Sequence, residues 1–239
     1  MSRVLVTGGG SGIGRAVARD FAKAGHDVTI AGRRMEALEE TAQGFAMTCR
    51  AVDVTDEAAV DALFDAPFEI VVANAGSGDS MRVADTPLDV WQKTLAVNLT
   101  GVFLTFRAGL RGMGPGGRLI ALASIASLKG GANIAAYAAA KHGVLGLVRS
   151  LAIEVARDGI TCNAVCPGFV DTDMGQGAVT NVMAKLDLPR DKAERMVVGN
   201  NPMRRMIDVD EVTAAVRFLA SPEASMVNGH ALSVSGGEI

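Results

Sequence analysis

Short apolar runs alternate along the chain with longer stretches whose apolar residues recur at helical spacing. The runs predict strands at 4–7, 28–31, 49–52, 70–73, 118–123, 161–165 and 231–234. Between them the 3.6-residue period predicts helices over 13–24, 35–43, 57–64, 88–111, 134–157 and 209–219. This βαβα rhythm implies an α/β fold: a seven-stranded parallel sheet with helices on both faces.

Two departures from the rhythm carry information. The two longest helical stretches are small and apolar around much of their circumference, as at Ala135, Ala138, Val144, Leu147 and Leu151, which suits burial against a second copy as well as against the sheet. Between Asp171 and Asp208 the alternation breaks down, and Met174, Met183, Met196, Met203 and Met206 concentrate there. Methionine is flexible and polarisable, so this segment predicts an adaptable cover over an apolar site, with a surface helix pair as the plainer alternative.

Composition narrows the partners. Hydrophobic residues make up 49% and aromatics only 4%, and no compositional break divides residues 1–239, so one domain is expected. A formal net charge of −3 supplies no basic field for nucleic acid, and no lysine or arginine run marks a membrane-surface helix. No stretch of eighteen apolar residues is free of charge and glycine, and the first strand begins without a charged leader. The odd trio Cys49, Cys162 and Cys166 has no metal-ligand spacing and suits a reduced, cytoplasmic setting. The expected partner is a small molecule, with no metal.

The first strand runs into Thr7-Gly8-Gly9-Gly10-Ser11-Gly12-Ile13-Gly14 and a helix follows at once. Such a turn lets the backbone approach a pyrophosphate while free N–H groups and the helix dipole face its charge, so Gly8, Ser11, Gly12, Ile13 and Gly14 are candidate nucleotide contacts. After the second strand stand Arg33 and Arg34, where a carboxylate would otherwise receive the ribose hydroxyls of NAD. A guanidinium instead binds a 2′-phosphate through two donors, which favours NADP(H) and leaves NAD(H) as the alternative. Asp53, with Val54 beside it, either accepts from an adenine amino group or caps the next helix. Asn74-Ala75-Gly76 brings Asn74 and Gly76 to the point where the sheet reverses its order.

The only tyrosine, Tyr137, precedes Lys141 by one helical turn and follows Ser124 by thirteen positions. Reduction of a ketone needs a positioned acid for the carbonyl oxygen, and a phenol with an ordinary pKa of about 10 is ionised in only about one molecule in a thousand at pH 7. At i and i+4, Lys141 shares a helical face with Tyr137, so its ammonium is expected to favour phenolate for the reverse oxidation. Ser124, ending the fifth strand, can donate to the same oxygen.

Together these residues resemble the short-chain dehydrogenase/reductase superfamily: T-G-x-x-x-G-x-G at Thr7 to Gly14, Asp53-Val54, Asn74-Ala75-Gly76, Asn98, Ser124, Tyr137-x-x-x-Lys141, Pro167-Gly168 and Thr172. The resemblance spans Val4 to the Ser235-Gly236-Gly237 tail and implies a Rossmann-type doubly wound sheet and a homotetramer. It implies that Asn98, Ser124, Tyr137 and Lys141 are catalytic, with Ser124 stabilising substrate, Lys141 also holding the nicotinamide ribose, and Asn98 retaining a water that relays protons. It further implies that Pro167, Gly168, Val170 and Thr172 place the nicotinamide.

Ala139-Ala140-Lys141-His142-Gly143 and the stretch from Asn163 to Val170 are most similar to 3-oxoacyl and polyketide ketoreductases. Two arginines that dock acyl carrier protein in fatty-acid reductases of this type align with Pro115 and Asp158, which argues against carrier delivery. An apolar rim of Ile125, Ala126, Phe169, Val170 and Met174 favours an uncharged or partly apolar carbonyl compound, such as a 3-oxoacyl thioester or a cyclic ketone. Arg204 and Arg205 offer a CoA phosphate contact or a structural pair. The competing readings are an NAD-linked secondary alcohol or hydroxyacyl-CoA dehydrogenase and a non-enzymatic nucleotide sensor.

Overall fold

The structure is a computed structural model describing residues 1–239. Seven strands form one wholly parallel sheet: β1 (Arg3–Thr7), β2 (Asp27–Gly32), β3 (Met47–Ala51), β4 (Ile70–Ala73), β5 (Arg118–Leu122), β6 (Thr161–Pro167) and β7 (Ala231–Val234). Their order is β3-β2-β1-β4-β5-β6-β7. The expected doubly wound fold is therefore present, and it turns over between β1 and β4.

Successive strand residues feed opposite faces. Leu5, Val71, Leu119 and Ala121 enter one hydrophobic cluster, while Val4, Val6, Val72, Ile120 and Leu122 enter the other. The second cluster is completed by α1 (Gly12–Lys23), α2 (Met35–Ala42) and α9 (Val209–Ala220), through Val17, Phe21, Leu38, Val212 and Val216. The first is covered by α5 (Gly101–Leu110) and α6 (Ala135–Glu154), through Val102, Phe106, Val144 and Val148. Both faces being covered, strand residues are apolar on both sides, which is why the runs read as continuous.

The helix expected over 88–111 is interrupted. It comprises α4 (Leu88–Leu95), a π-helical turn (Ala96–Thr100) and then α5. Asn98, fully buried, donates from Nδ2 to Thr94 O at 2.9 Å, the carbonyl that ordinary α-helical bonding would give to the Asn98 amide. The helix expected over 57–64 is also shorter, as α3 (Glu57–Asp61), and Asp56 caps it by accepting from Ala59 N at 3.1 Å.

The irregular segment resolves into the plainer alternative, a helix pair: α7 (Asp173–Leu186) and α8 (Arg190–Val197). Val179, Ala193, Val198 and Met206 form a small core of their own, with Met183 packed against it. Phe169 O accepts from Ile207 N and Ile207 O accepts from Asp171 N, each at 2.9 Å, so the excursion leaves and returns at one place. It sits at the carboxyl ends of the strands, where α7 begins beside the cleft. No helix is long and apolar enough to cross a membrane.

Candidate active site

The crevice opens where β1 and β4 part. Thr7 Oγ1 accepts from Asn74 N at 3.1 Å and from Ala75 N at 3.2 Å, and Asn74 Nδ2 donates to Thr7 O at 3.0 Å and Gly8 O at 3.2 Å. Gly8 (φ 67°) and Gly12 (φ 50°) take the left-handed conformations that the turn requires. A Cβ at Gly14 would stand 2.3 Å from Gly8 O, so glycine there lets α1 close onto the turn. Ser11, the N-cap of α1, makes no side-chain capping bond, and Ser11, Gly12 and Ile13 line the cleft. The first amides of α1 are thus left for an anion. A Cβ at Gly12 would lie 3.4 Å from Thr172 Cγ2, so the bare glycine leaves a gap between the turn and α7.

At one end of the crevice a cavity of about 140 Å³ is lined by Gly8, Ser11, Arg33, Arg34, Asp53 and Val54. Arg33 and Arg34 are exposed, and the ion pairs of the chain engage other arginines. Asp53 does not cap α3. Its Oδ1 accepts from Thr55 N at 2.9 Å and Thr55 Oγ1 at 2.8 Å. The Thr55 amide, chiefly, then its hydroxyl and Arg33, hold the Asp53 carboxyl below its ordinary range against desolvation.

At the other end a cavity of about 210 Å³ holds Asn98, Tyr137, Lys141, Pro167, Thr172 and Met174, and it shares Gly8, Ser11 and Ala75 to Ser77 with the first cavity. The two form one bent cleft. Tyr137 and Lys141 project from one face of α6, with Lys141 Nζ 5.6 Å from the centre of the phenol ring. Lys141 is 3% exposed and donates to Leu122 O at 2.7 Å. Burial brings its pKa down to about 8. Ser124 Oγ accepts from Ala126 N at 3.1 Å, which leaves its hydroxyl proton to face the Tyr137 phenol.

One electrostatic expectation is reversed. Burial pushes the Tyr137 phenol above its ordinary value, with Ser124 opposing through a hydrogen bond and Cys166 adding to the rise. The ring as a whole is half-buried, yet desolvation at its hydroxyl outweighs the Ser124 hydrogen bond. Tyr137 therefore stands as a neutral acid at pH 7. Cys166, pushed up to about 11 mainly by burial, is neutral as well.

Several expected contacts stand elsewhere. Val170 belongs to the core cluster under β6, and the Ile125 side chain is buried; both lie outside the cleft lining, as do Ser124, which stands next to its Ala123, and Gly168 and Phe169. Val170 and Ile207, joined by a parallel bridge, are both buried in that cluster. Arg205 is committed to Glu211 by paired bonds of 2.6 and 2.7 Å, so it is not free for a phosphate, and Arg204 gives one donor to Gly199 O. Thr7 and Ser77 were not singled out as site residues. Ser77 has no signal of its own, because its place follows from Asn98, whose Nδ2 donates to Ser77 O at 2.6 Å and whose Oδ1 accepts from Ser77 N at 3.3 Å.

Residues 8–238 match a family model described as enoyl-(acyl carrier protein) reductase. The chain is 37% identical to the 3-oxoacyl-[acyl-carrier-protein] reductase MabA of Mycobacterium tuberculosis, over 98% of this chain and 91% of that protein. It is also 37% identical to levodione reductase of Leifsonia aquatica, over 98% and 93%. Among solved structures, a variant of actinorhodin polyketide ketoreductase with NADPH superposes with a TM-score of 0.93 at 33% identity, covering 99% of this chain and 97% of that one. Agreement over essentially the whole length, in sequence and in backbone, makes this chain a member of the short-chain dehydrogenase/reductase superfamily, similar to its ketoreductases, and an oxidoreductase acting between C=O and CH–OH.

Proposed function

We propose that the chain is an NADP(H)-dependent ketoreductase that interconverts an uncharged or partly apolar ketone and its secondary alcohol. The observation that carries this is the single bent cleft with the exposed guanidiniums of Arg33 and Arg34 at one end and Tyr137, Lys141 and the Leu122–Ala123 approach to Ser124 at the other. The residues present fit the dinucleotide: bare glycines with φ 67° and 50° leave room for a pyrophosphate, and the uncapped start of α1 offers it donors. Gly8, Ser11, Gly12 and Ile13 would hold the pyrophosphate, Arg33 and Arg34 the 2′-phosphate, Asp53 and Val54 the adenine side, and Pro167 and Thr172 the nicotinamide. When bound, the coenzyme donates or accepts the hydride.

The rest is the work of this chain. Ser124 would turn its hydroxyl hydrogen bond from the phenol to the substrate oxygen, and Tyr137, kept neutral at pH 7, would transfer its proton to that oxygen as charge develops. A neutral phenol favours the reductive direction. Lys141, anchored on Leu122 O, lies 3.8 Å from where a Cβ at Gly76 would be, so it borders the ribose-facing turn as well as the phenol. The turns carrying Pro115 and Asp158 lie together, Gly116 N donating to Gly159 O at 2.9 Å, and present proline and carboxylate where carrier docking needs arginine. We therefore assign a carrier-independent substrate.

The test is a panel of free ketones, cyclic diketones, 3-oxoacyl-CoA thioesters and 3-oxoacyl carrier protein, followed by loss of reduced-nicotinamide absorbance. At least one of the first three is expected to turn over, and Tyr137→Phe is expected to lower kcat about 10²–10⁴-fold. Near-native turnover by that variant overturns the assignment of the acid.

Coenzyme choice follows from charge. Arg33→Ala is expected to reduce the preference for NADPH over NADH at least about tenfold, through loss of a charge-assisted phosphate contact. An unchanged ratio, read from kcat/KM with each coenzyme, would reject the 2′-phosphate role.

Lys141 sets function against stability. Below about pH 8 it is charged in both folded and unfolded states, so the cost of burying the charge is carried in full; from about 8 up through the ordinary 10.5 the folded state loses its proton first and stability rises. At pH 7, Lys141→Met is expected to gain about 1 kcal/mol, a thermal midpoint higher by about 2–4 °C, while turnover falls at least about 10²-fold. A lower midpoint in calorimetry contradicts this account of the buried amine.

The outer faces of α4, α5 and α6 carry Leu88, Trp91, Phe103 and Ile153, the last 81% exposed. These helices suit a homo-oligomer, a tetramer by resemblance. Light scattering is expected to return a multiple of the single-chain mass, and a monomer at micromolar concentration would refute it.

A further inference from the structure

The loop 77–81 is fastened at both ends. Asn98, buried in the π-helical turn, holds both backbone groups of Ser77. At the far end Met81 N donates to Asn133 O at 2.7 Å. Asn133 has φ 64° and directly precedes Ile134, the N-cap of α6, so this second bond ties the loop to the start of the helix that carries Tyr137. Asparagine is among the few residues that tolerate that conformation.

Between the two fastenings Gly78 lies against the phenol ring. A Cβ added there would stand 3.0 Å from Tyr137 Cδ2, 3.4 Å from Cε2 and 3.5 Å from Cγ, and these are its three nearest atoms. The φ of Gly78 lies outside the left-handed region, so alanine meets no backbone strain. Only the contact with the ring changes. The loop cannot retreat freely, because Asn98 and Asn133 hold it, so an added methyl must displace the ring.

We infer that Gly78 is a positioning residue for Tyr137: its bare Cα, held in place by the fastened loop, sets where the phenol ring rests and hence where its hydroxyl meets a substrate oxygen. This inference rests on the reading of Tyr137 as the proton donor. A misplacement of about 1 Å at a reacting group costs about 10²-fold in rate, and the clash calls for movement of a few tenths of an ångström.

The chain has one tyrosine, so the phenol can be observed alone. In Gly78→Ala, kcat is expected to fall at least about fourfold, with the thermal midpoint unchanged within about 2 °C and the NADPH dissociation constant within about twofold. With tyrosine-labelled protein, the single phenol carbon resonance is expected to shift, and its titration midpoint to fall toward the ordinary value as water reaches the hydroxyl. Gly78→Val should enlarge both effects. A kcat within twofold of the parent, a loss of NADPH affinity equal to the loss of kcat, or an unmoved phenol titration each overturns the inference. If the parent reduces no carbonyl, the functional reading fails, while the resonance and titration still decide whether Gly78 places the ring.

Discussion

Everything at the site depends on how β1 and β4 are held side by side while their connections leave toward opposite faces. Parallel neighbours that diverge in this way expose backbone donors at their carboxyl ends, and these must be satisfied without filling the crevice. Thr7 does this with one hydroxyl, which takes the amides of both Asn74 and Ala75, while the Asn74 amide returns two bonds to the glycine turn. The gap is thereby closed at its floor and open above. The turn, the start of α1 and the loop after β4 acquire fixed positions from this knot, and the long cleft follows from them.

Chemistry at the inner end comes from withholding water. A lysine that bonds only to a main-chain carbonyl and a phenol whose hydroxyl is desolvated are each less able to carry charge than in solution. Expectation from helical spacing alone gave weight to the ammonium beside the phenol, but spacing says nothing about burial. Here burial is the larger influence, so the phenol keeps its proton. The same seclusion makes the hydrogen bond that Ser124 can offer stronger than it would be in water.

What could be read in the sequence was what is local and periodic. All seven strands were legible because both faces of the sheet are covered, and the spacing that singled out the glycine turn, Arg33, Tyr137 and Lys141 picked residues that line one bent cleft. Three kinds of feature were not. The π-helical turn depends on Asn98 competing for a carbonyl and reaching a loop distant in sequence, which no helical period records. Val170 and Ile125 follow site motifs, which suggests the substrate rim, whereas packing buries them. Glycine at position 78 is silent in one dimension, since what matters is the ring it faces.

The excursion between Asp171 and Ile207 carries its own small core and is joined to the rest across a single bridge. Beyond its first turn, where Thr172 and Met174 line the cleft, its packing is largely internal, so changes within its own small core leave the register of the sheet undisturbed. A scaffold built in this way offers one largely self-contained module through which the rim of the cleft can be reshaped while the sheet beneath it stays as it is.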